Sequence, residues 1–396
     1  MKKILIALPI IILLLVFVFW KFDVGFFTGK SKLQEMSFAD DDGDTSIWQS
    51  RKYSPYEILN YGWIGDAFDI SSWQSGTVVH SSETYGVDSS DIITMDVVYE
   101  MVGLDNIQVE GEDNAFSVAV LDTGAYPHRD LVYPKDKIIA FVDMVNNLDV
   151  PYDDNGHGTA VTGIIAGNSK IPKYRGLAPF VDIVSVKVLD YQCKGYKRDI
   201  IEGVKWVIAN REKYNIKLMN LSVGIPTDEY DELSQLVDEA YSQGIFVVTS
   251  VGNKTNGSSE TKYTPAISDS VVSVGSIEET ALDNSLNYHL AEFSSTWISD
   301  NENHKPEVVA PGKNIMTLKS DIYYKGTGVV LEEALYACDS GTSLSAAVVT
   351  AFVANFIYKY PDKTIDEIKE ILYQNCIELE EAESQKCIYA HKNKDE

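Results

Sequence analysis

The stretch from Val348 to Phe356 is apolar throughout most of its length and reads as a buried helix. Such a helix needs a sizeable core around it. A chain of 396 residues, 45% of them hydrophobic, can bury one large core of about 280 residues plus a smaller region. Directly ahead of the helix lies Asp339-Ser340-Gly341-Thr342-Ser343-Leu344-Ser345-Ala346-Ala347. A serine at a helix start can present its hydroxyl beside the N–H donors of the helix N-terminus. Small residues before a helix also make ordinary entry turns, so Ser343 needs a base from elsewhere in the chain to count as a nucleophile.

Two upstream stretches offer one. Phe116-Ser117-Val118-Ala119-Val120-Leu121 is short, apolar and partly β-branched, so it reads as a buried strand, and it ends on Asp122-Thr123-Gly124. That places a carboxylate at the C-terminal end of a strand, where open α/β sheets hold their ligands. Asn155-Gly156-His157-Gly158-Thr159 then leads into the apolar run Ala160 to Ala166, setting a histidine between glycines at a helix start. A single histidine is usually a hydrogen-bonded structural residue. Aspartate, histidine and serine together in this order form the set needed for nucleophilic catalysis.

In these blocks the chain resembles the subtilisin-like serine proteases. Asp122-Thr123-Gly124, His157-Gly158-Thr159 and Gly341-Thr342-Ser343 match the three blocks around that family's catalytic residues, and Val251-Gly252-Asn253 matches the segment of its oxyanion asparagine. Weaker agreement at Gly176-Leu177-Ala178-Pro179, Val186-Lys187-Val188-Leu189, Met219-Asn220-Leu221-Ser222 and Val309-Ala310-Pro311-Gly312 extends the similarity over roughly residues 93–377. The resemblance implies an α/β three-layer fold with a mostly parallel central sheet. It also implies peptide-bond hydrolysis through an acyl-enzyme: Ser343 attacks, His157 carries the proton, Asp122 orients the imidazole, and Asn253 with the Ser343 N–H holds the oxyanion. Ser222, Val223 and Gly224 would form one wall of the cleft. Ser250 and Gly252 would face them across the pocket for the side chain just before the cut. The alternative is a non-catalytic surface binding protein on the same fold.

Four positions depart from the family pattern. Lys254 stands where many relatives have a carboxylate or small residue, so it either disfavours basic side chains at the pocket mouth or simply reaches into solvent. Leu344 and Ala347 replace the usual methionine and proline after the nucleophile, removing a residue that pre-organises the first helical turn. Many relatives bind calcium with an aspartate shortly after the catalytic one, and Asp130 fits that position. The loop Asn168-Ser169-Lys170-Ile171 offers an ammonium instead of an oxygen ligand, so Lys170 is expected to pair with Asp130 and calcium is doubtful there; no cofactor is required.

The ends of the chain set the remaining expectations. Met1-Lys2-Lys3 precedes an apolar run from Ile4 to Trp20 closed by Lys21, long enough to span about 25 Å as a helix. Residues 1–21 read as an uncleaved signal anchor, with a cleaved signal peptide as the alternative. Lys2 and Lys3 would stay inside, leaving the catalytic domain at the cell surface. Residues 22–92, with an acidic turn at Asp40–Asp44 and a serine-rich stretch toward Asp91, read as a removable propeptide or a stalk, and 378–396 as a tail. The formal net charge of −26 argues against nucleic acid or anionic lipid as partners and leaves a peptide or protein substrate. No His-Glu-x-x-His occurs, which excludes that class of zinc protease. Of Cys193, Cys338, Cys376 and Cys387, the last two are expected to close a short disulfide loop.

Overall fold

The structure, a computed structural model, describes residues 91–107, 116–254, 261–279, 288–299, 303–320, 329–330, 335–378 and 386–388. The apolar run Ile4–Trp20 and the expected propeptide or stalk up to Ser90 lie outside the described residues. In chain order the first half holds α1 (Met95–Met101), β1 (Ser117–Asp122), α2 (Arg129–Val132), β2 (Ile138–Asp143), α3 (His157–Ala166), β3 (Asp182–Lys187), α4 (Lys197–Asn210), β4 (Ile216–Leu221) and β5 (Ile225–Pro226). There follow α5 (Glu232–Ser242), β6 (Phe246–Ser250), β7 (Tyr263–Thr264), β8 (Val272–Glu279), β9 (Tyr288–Leu290), β10 (Trp297–Ile298), β11 (His304–Lys305) and β12 (Val308–Pro311). The last part comprises β13 (Ile315–Leu318), β14 (Val329–Val330), β15 (Tyr336–Asp339), α6 (Thr342–Lys359), α7 (Ile365–Gln374), β16 (Cys376–Glu378) and β17 (Lys386–Ile388).

The main sheet runs β16-β17-β12-β8-β6-β4-β1-β3-β2, with β9 paired to β8. Every neighbouring pair in it is parallel except β16–β17 and β8–β9. The two faces of β1 show why three layers form. Successive side chains point to opposite faces of a strand, and Val118 and Val120 enter one core with α1, α3, α6 and α7, while Ala119 and Leu121 enter the other with α4 and α5. Both faces being covered, the strand reads as a continuous apolar run. The helix over Val348–Phe356 is enclosed as its sequence requires, and α6 is buried from Thr342 to Phe356. It stops where Pro361 removes a backbone donor. The following α7 begins with a reciprocal cap: the Glu367 N–H donates to Thr364 Oγ1 and the Thr364 N–H to a Glu367 carboxylate oxygen.

Two expectations at the C-terminus are corrected. Lys386–Ile388, within the stretch read as a tail, is a strand of the main sheet beside β12. Cys376 and Cys387 do not bond to each other; all four cysteines are free thiols. The antiparallel register sets Cys376 opposite Ile388 and Cys387 opposite Ile377. A one-residue offset sends the two thiols to opposite faces of the ribbon. Burial pushes the Cys376 thiol up to about 12 and holds it protonated.

Candidate active site

β1 delivers Asp122 to the C-terminal edge of the sheet, completely buried. α3 delivers His157 at its first residue. The turn into α3 depends on Gly156, whose φ of 110° is left-handed, and on Gly158, where a Cβ would lie 2.1 Å from the Gly124 carbonyl oxygen. Absence of that Cβ lets α3 press against the end of β1. The result is a 2.7 Å hydrogen bond between His157 Nδ1 and Asp122 Oδ1. An ionised carboxylate only accepts, so the Nδ1 proton belongs to the histidine. Burial disfavours the charged imidazole, but the Asp122 carboxylate, with Asp339 and Asp153 beyond it, outweighs this and holds His157 above the ordinary histidine range.

α6, which packs against α3 in the same core, brings in Ser343 at its second residue, 1% exposed. Ser343 Oγ donates to the Ser222 carbonyl at 3.4 Å, and Ser222 Oγ donates back to the Ser343 carbonyl at 3.2 Å. Asn253, just past β6, accepts from the Thr342 N–H at 3.1 Å and from Thr342 Oγ1 at 2.9 Å through its side-chain oxygen. With its oxygen so engaged, its NH2 group is aimed away from Thr342 as a donor. β4 and β6 are parallel neighbours, so Ser222-Val223-Gly224 and Ser250-Val251-Gly252 leave the same edge of the sheet side by side. Lys254 is half-buried, and its backbone N–H donates to the Phe293 carbonyl at 2.7 Å. Leu344 and Ala347 are buried in the α6 core, so the departures after Ser343 are accommodated by packing.

Several further residues support the site without being among the candidates read from the sequence. Asp153, 4% exposed, accepts from the N–H groups of Asn155, Gly156 and Thr159 and from the hydroxyls of Thr123 and Thr159. It therefore satisfies N-terminal donors of α3 and ties them to the residue after Asp122. Lys187 is fully buried, and its ammonium reaches Asp154 and the carbonyls of Thr123 and Leu189 at 2.7–2.8 Å. Asn220 donates to Ser222 Oγ at 2.8 Å and accepts from Thr350 of α6 at 2.9 Å, joining the cleft wall to the helix that carries Ser343. A carboxylate ahead of a helix start is a readable cap signal for Asp153, and Lys187 and Asn220 fall in weakly matching blocks that do not disclose their partners; Thr350 leaves no local trace.

The expected Lys170–Asp130 pair does not form. Asp130 accepts the Tyr336 hydroxyl at 2.7 Å, Arg129 approaches it at 3.7 Å, and Lys170 is exposed. Tyr336 stacks on Tyr174, ring centroids 3.6 Å apart, which fills this corner with aromatic surface. Calcium takes about six to eight oxygen ligands, and a carboxylate engaged by a tyrosine beside an ammonium-bearing loop does not fit that ion. The described residues hold no group of three or more His, Cys, Asp or Glu able to hold a metal.

A mostly parallel sheet covered by helices on both faces, with Asp122 at the end of β1, His157 at the start of α3 and Ser343 at the start of α6, is the subtilisin-like α/β fold. Residues 113–389 match the Subtilase family, and the chain belongs to it. It is 39% identical over 271 residues to the serine protease AprX of Bacillus subtilis (strain 168), covering 65% of this chain and 60% of that protein. It is 30% identical over 282 residues to subtilisin DY of Bacillus licheniformis, covering 70% of this chain and 90% of that protein. Among solved structures it resembles a cold adapted subtilisin-like serine proteinase, with a TM-score of 0.57 and 25% identity over 72% of this chain and 92% of that one.

Proposed function

We propose that the chain is an extracellular serine endopeptidase in which Ser343, His157 and Asp122 act as a triad and Asn253 completes the oxyanion hole. The observation that carries this reading is the buried 2.7 Å bond from His157 to Asp122; Asp339, which ends β15 three residues ahead of the helix bearing Ser343, also acts on the His157 charge. In this reading His157 takes the Ser343 hydroxyl proton as Oγ attacks the scissile carbonyl and then gives it to the leaving amine. Asp122 keeps the imidazole in the useful tautomer and stabilises its charged form. The developing oxyanion receives hydrogen bonds from the Asn253 NH2 and the Ser343 N–H. Water then releases the acyl group by the same route in reverse. An extended peptide pairs with Ser222-Val223-Gly224 as an added strand.

The apolar run Ile4–Trp20, with Lys2 and Lys3 held in the cytoplasm, would anchor the chain and set the catalytic domain outside the cell. In this reading the anchored catalytic domain acts as a dedicated processing enzyme for an exported peptide or protein. A fluorophosphonate probe tests the catalytic reading. Labelling is expected in the full-length protein and absent in Ser343→Ala; no labelling of either leaves the binding-protein alternative.

A further inference from the structure

We infer that Tyr263 plugs the pocket for the side chain just before the cut, so that cleavage follows small residues: glycine, alanine or serine. This rests on the peptidase reading above. In that reading the pocket lies between Ser222-Val223-Gly224, which follows β4, and Ser250-Val251-Gly252, which begins on the last residue of its parallel neighbour β6. Tyr263 opens β7, whose antiparallel pairing sets it directly opposite Pro226, two residues beyond Gly224. From there its ring enters the gap between the walls.

The two glycines measure how completely the ring fills that gap. A Cβ on Gly224 would lie 3.2 Å from Tyr263 Cδ1, and a Cβ on Gly252 would lie 2.8 Å from both Cδ2 and Cε2. Opposite edges of one ring therefore touch the two backbone walls. Both positions lack a side chain where the ring comes close. The ring is also held in place. Its hydroxyl donates to the Asn253 carbonyl at 3.3 Å, the Trp297 ring packs at 6.0 Å, and Val251 and Ala266 complete the cluster, leaving Tyr263 7% exposed. A phenylalanine or leucine side chain of a substrate would need volume that the ring already occupies at native packing density. A methyl or hydroxymethyl group can stay above it.

The test is kcat/KM for a peptide series differing only in the residue before the scissile bond, measured on the full chain. The wild-type protein is expected to prefer alanine over phenylalanine by at least roughly tenfold, the scale on which pocket volume discriminates. Tyr263→Ala should raise the phenylalanine-to-alanine ratio by at least roughly tenfold, and Tyr263→Phe should keep the wild-type ratio because the ring is what fills the space. Wild-type protein that cleaves after phenylalanine as well as after alanine overturns the proposal, as does an unchanged ratio in Tyr263→Ala. Should Tyr263→Ala fail to fold, the wild-type series decides alone. Fluorophosphonate labelling run alongside separates the two readings: an unlabelled chain sinks the peptidase assignment. A labelled chain without a small-residue preference, or one that cleaves no peptide of the series, sinks only the plug.

Discussion

His157 is caught between burial, which favours the neutral ring, and Asp122, which favours the charged one, and Asp122 prevails. As a general base it must be neutral, so kcat/KM should fall as pH drops through an apparent pKa above the usual histidine value of about 6.5. The stability contribution has the opposite sign. A folded-state pKa above the unfolded one stabilises fully below about pH 6.5 and the gain is lost as pH rises through the folded value. Chemical denaturation should therefore show a wider stability gap between wild type and His157→Ala at acid pH than at alkaline pH; a gap independent of pH would contradict the ion pair. Asn253 depends on its neighbour in a similar way. Losing an oxyanion donor of this kind costs about 2.7–4 kcal/mol of transition-state stabilisation. Thr342→Val removes one of the two groups that engage the Asn253 oxygen. It should lower kcat by a smaller factor while leaving KM nearly unchanged, and a change confined to KM would show that Thr342 serves substrate binding instead.

At the scale of elements, the corner between α2, β15 and the loop after α3 is joined by Asp130, Tyr336 and Tyr174 in place of the cation that many relatives hold there. Differential scanning calorimetry is expected to give the same Tm in calcium and in chelator, within the roughly 2 °C that about 1 kcal/mol would produce. Tyr336→Phe takes a hydrogen bond from a buried carboxylate and should cost about 1.5–3 kcal/mol. A large fall in Tm on chelation, with none from Tyr336→Phe, would place a structural cation back in this corner. The start of α3 follows the same logic on a smaller span: Asp153 gathers the donors that the helix leaves orphaned and so fixes the angle at which His157 meets Asp122.

Across the whole molecule, the packed structure begins further upstream than β1, in contacts with β13 and with the core that α3 and α6 share. The Ile93 N–H donates to the Asn314 carbonyl, the Ile93 carbonyl accepts the Met316 N–H, and Met95 and Val98 of α1 are buried in the main core. A removable propeptide must therefore end before Ile93. Mass spectrometry of the exported protein should find a mature N-terminus at or upstream of that residue, and a start beyond Met101 would mean that α1 is dispensable. What could be read from the sequence was the layered α/β class and Asn253, both through the family resemblance of the matched blocks, and Asp122, His157 and Ser343 as candidates. Those three also have local signals: an apolar run ending on a carboxylate, glycines where a backbone turns, and small residues ahead of a helix with no wet face. The tertiary structure alone decided that Tyr263 stands between Gly224 and Gly252, that Asn220 and Thr350 join the cleft wall to α6, that Asp130 meets Tyr336 and not Lys170, and that Cys376 and Cys387 face apart. Each of those contacts depends on strand order, register or packing, and none of these imposes a local pattern on the sequence.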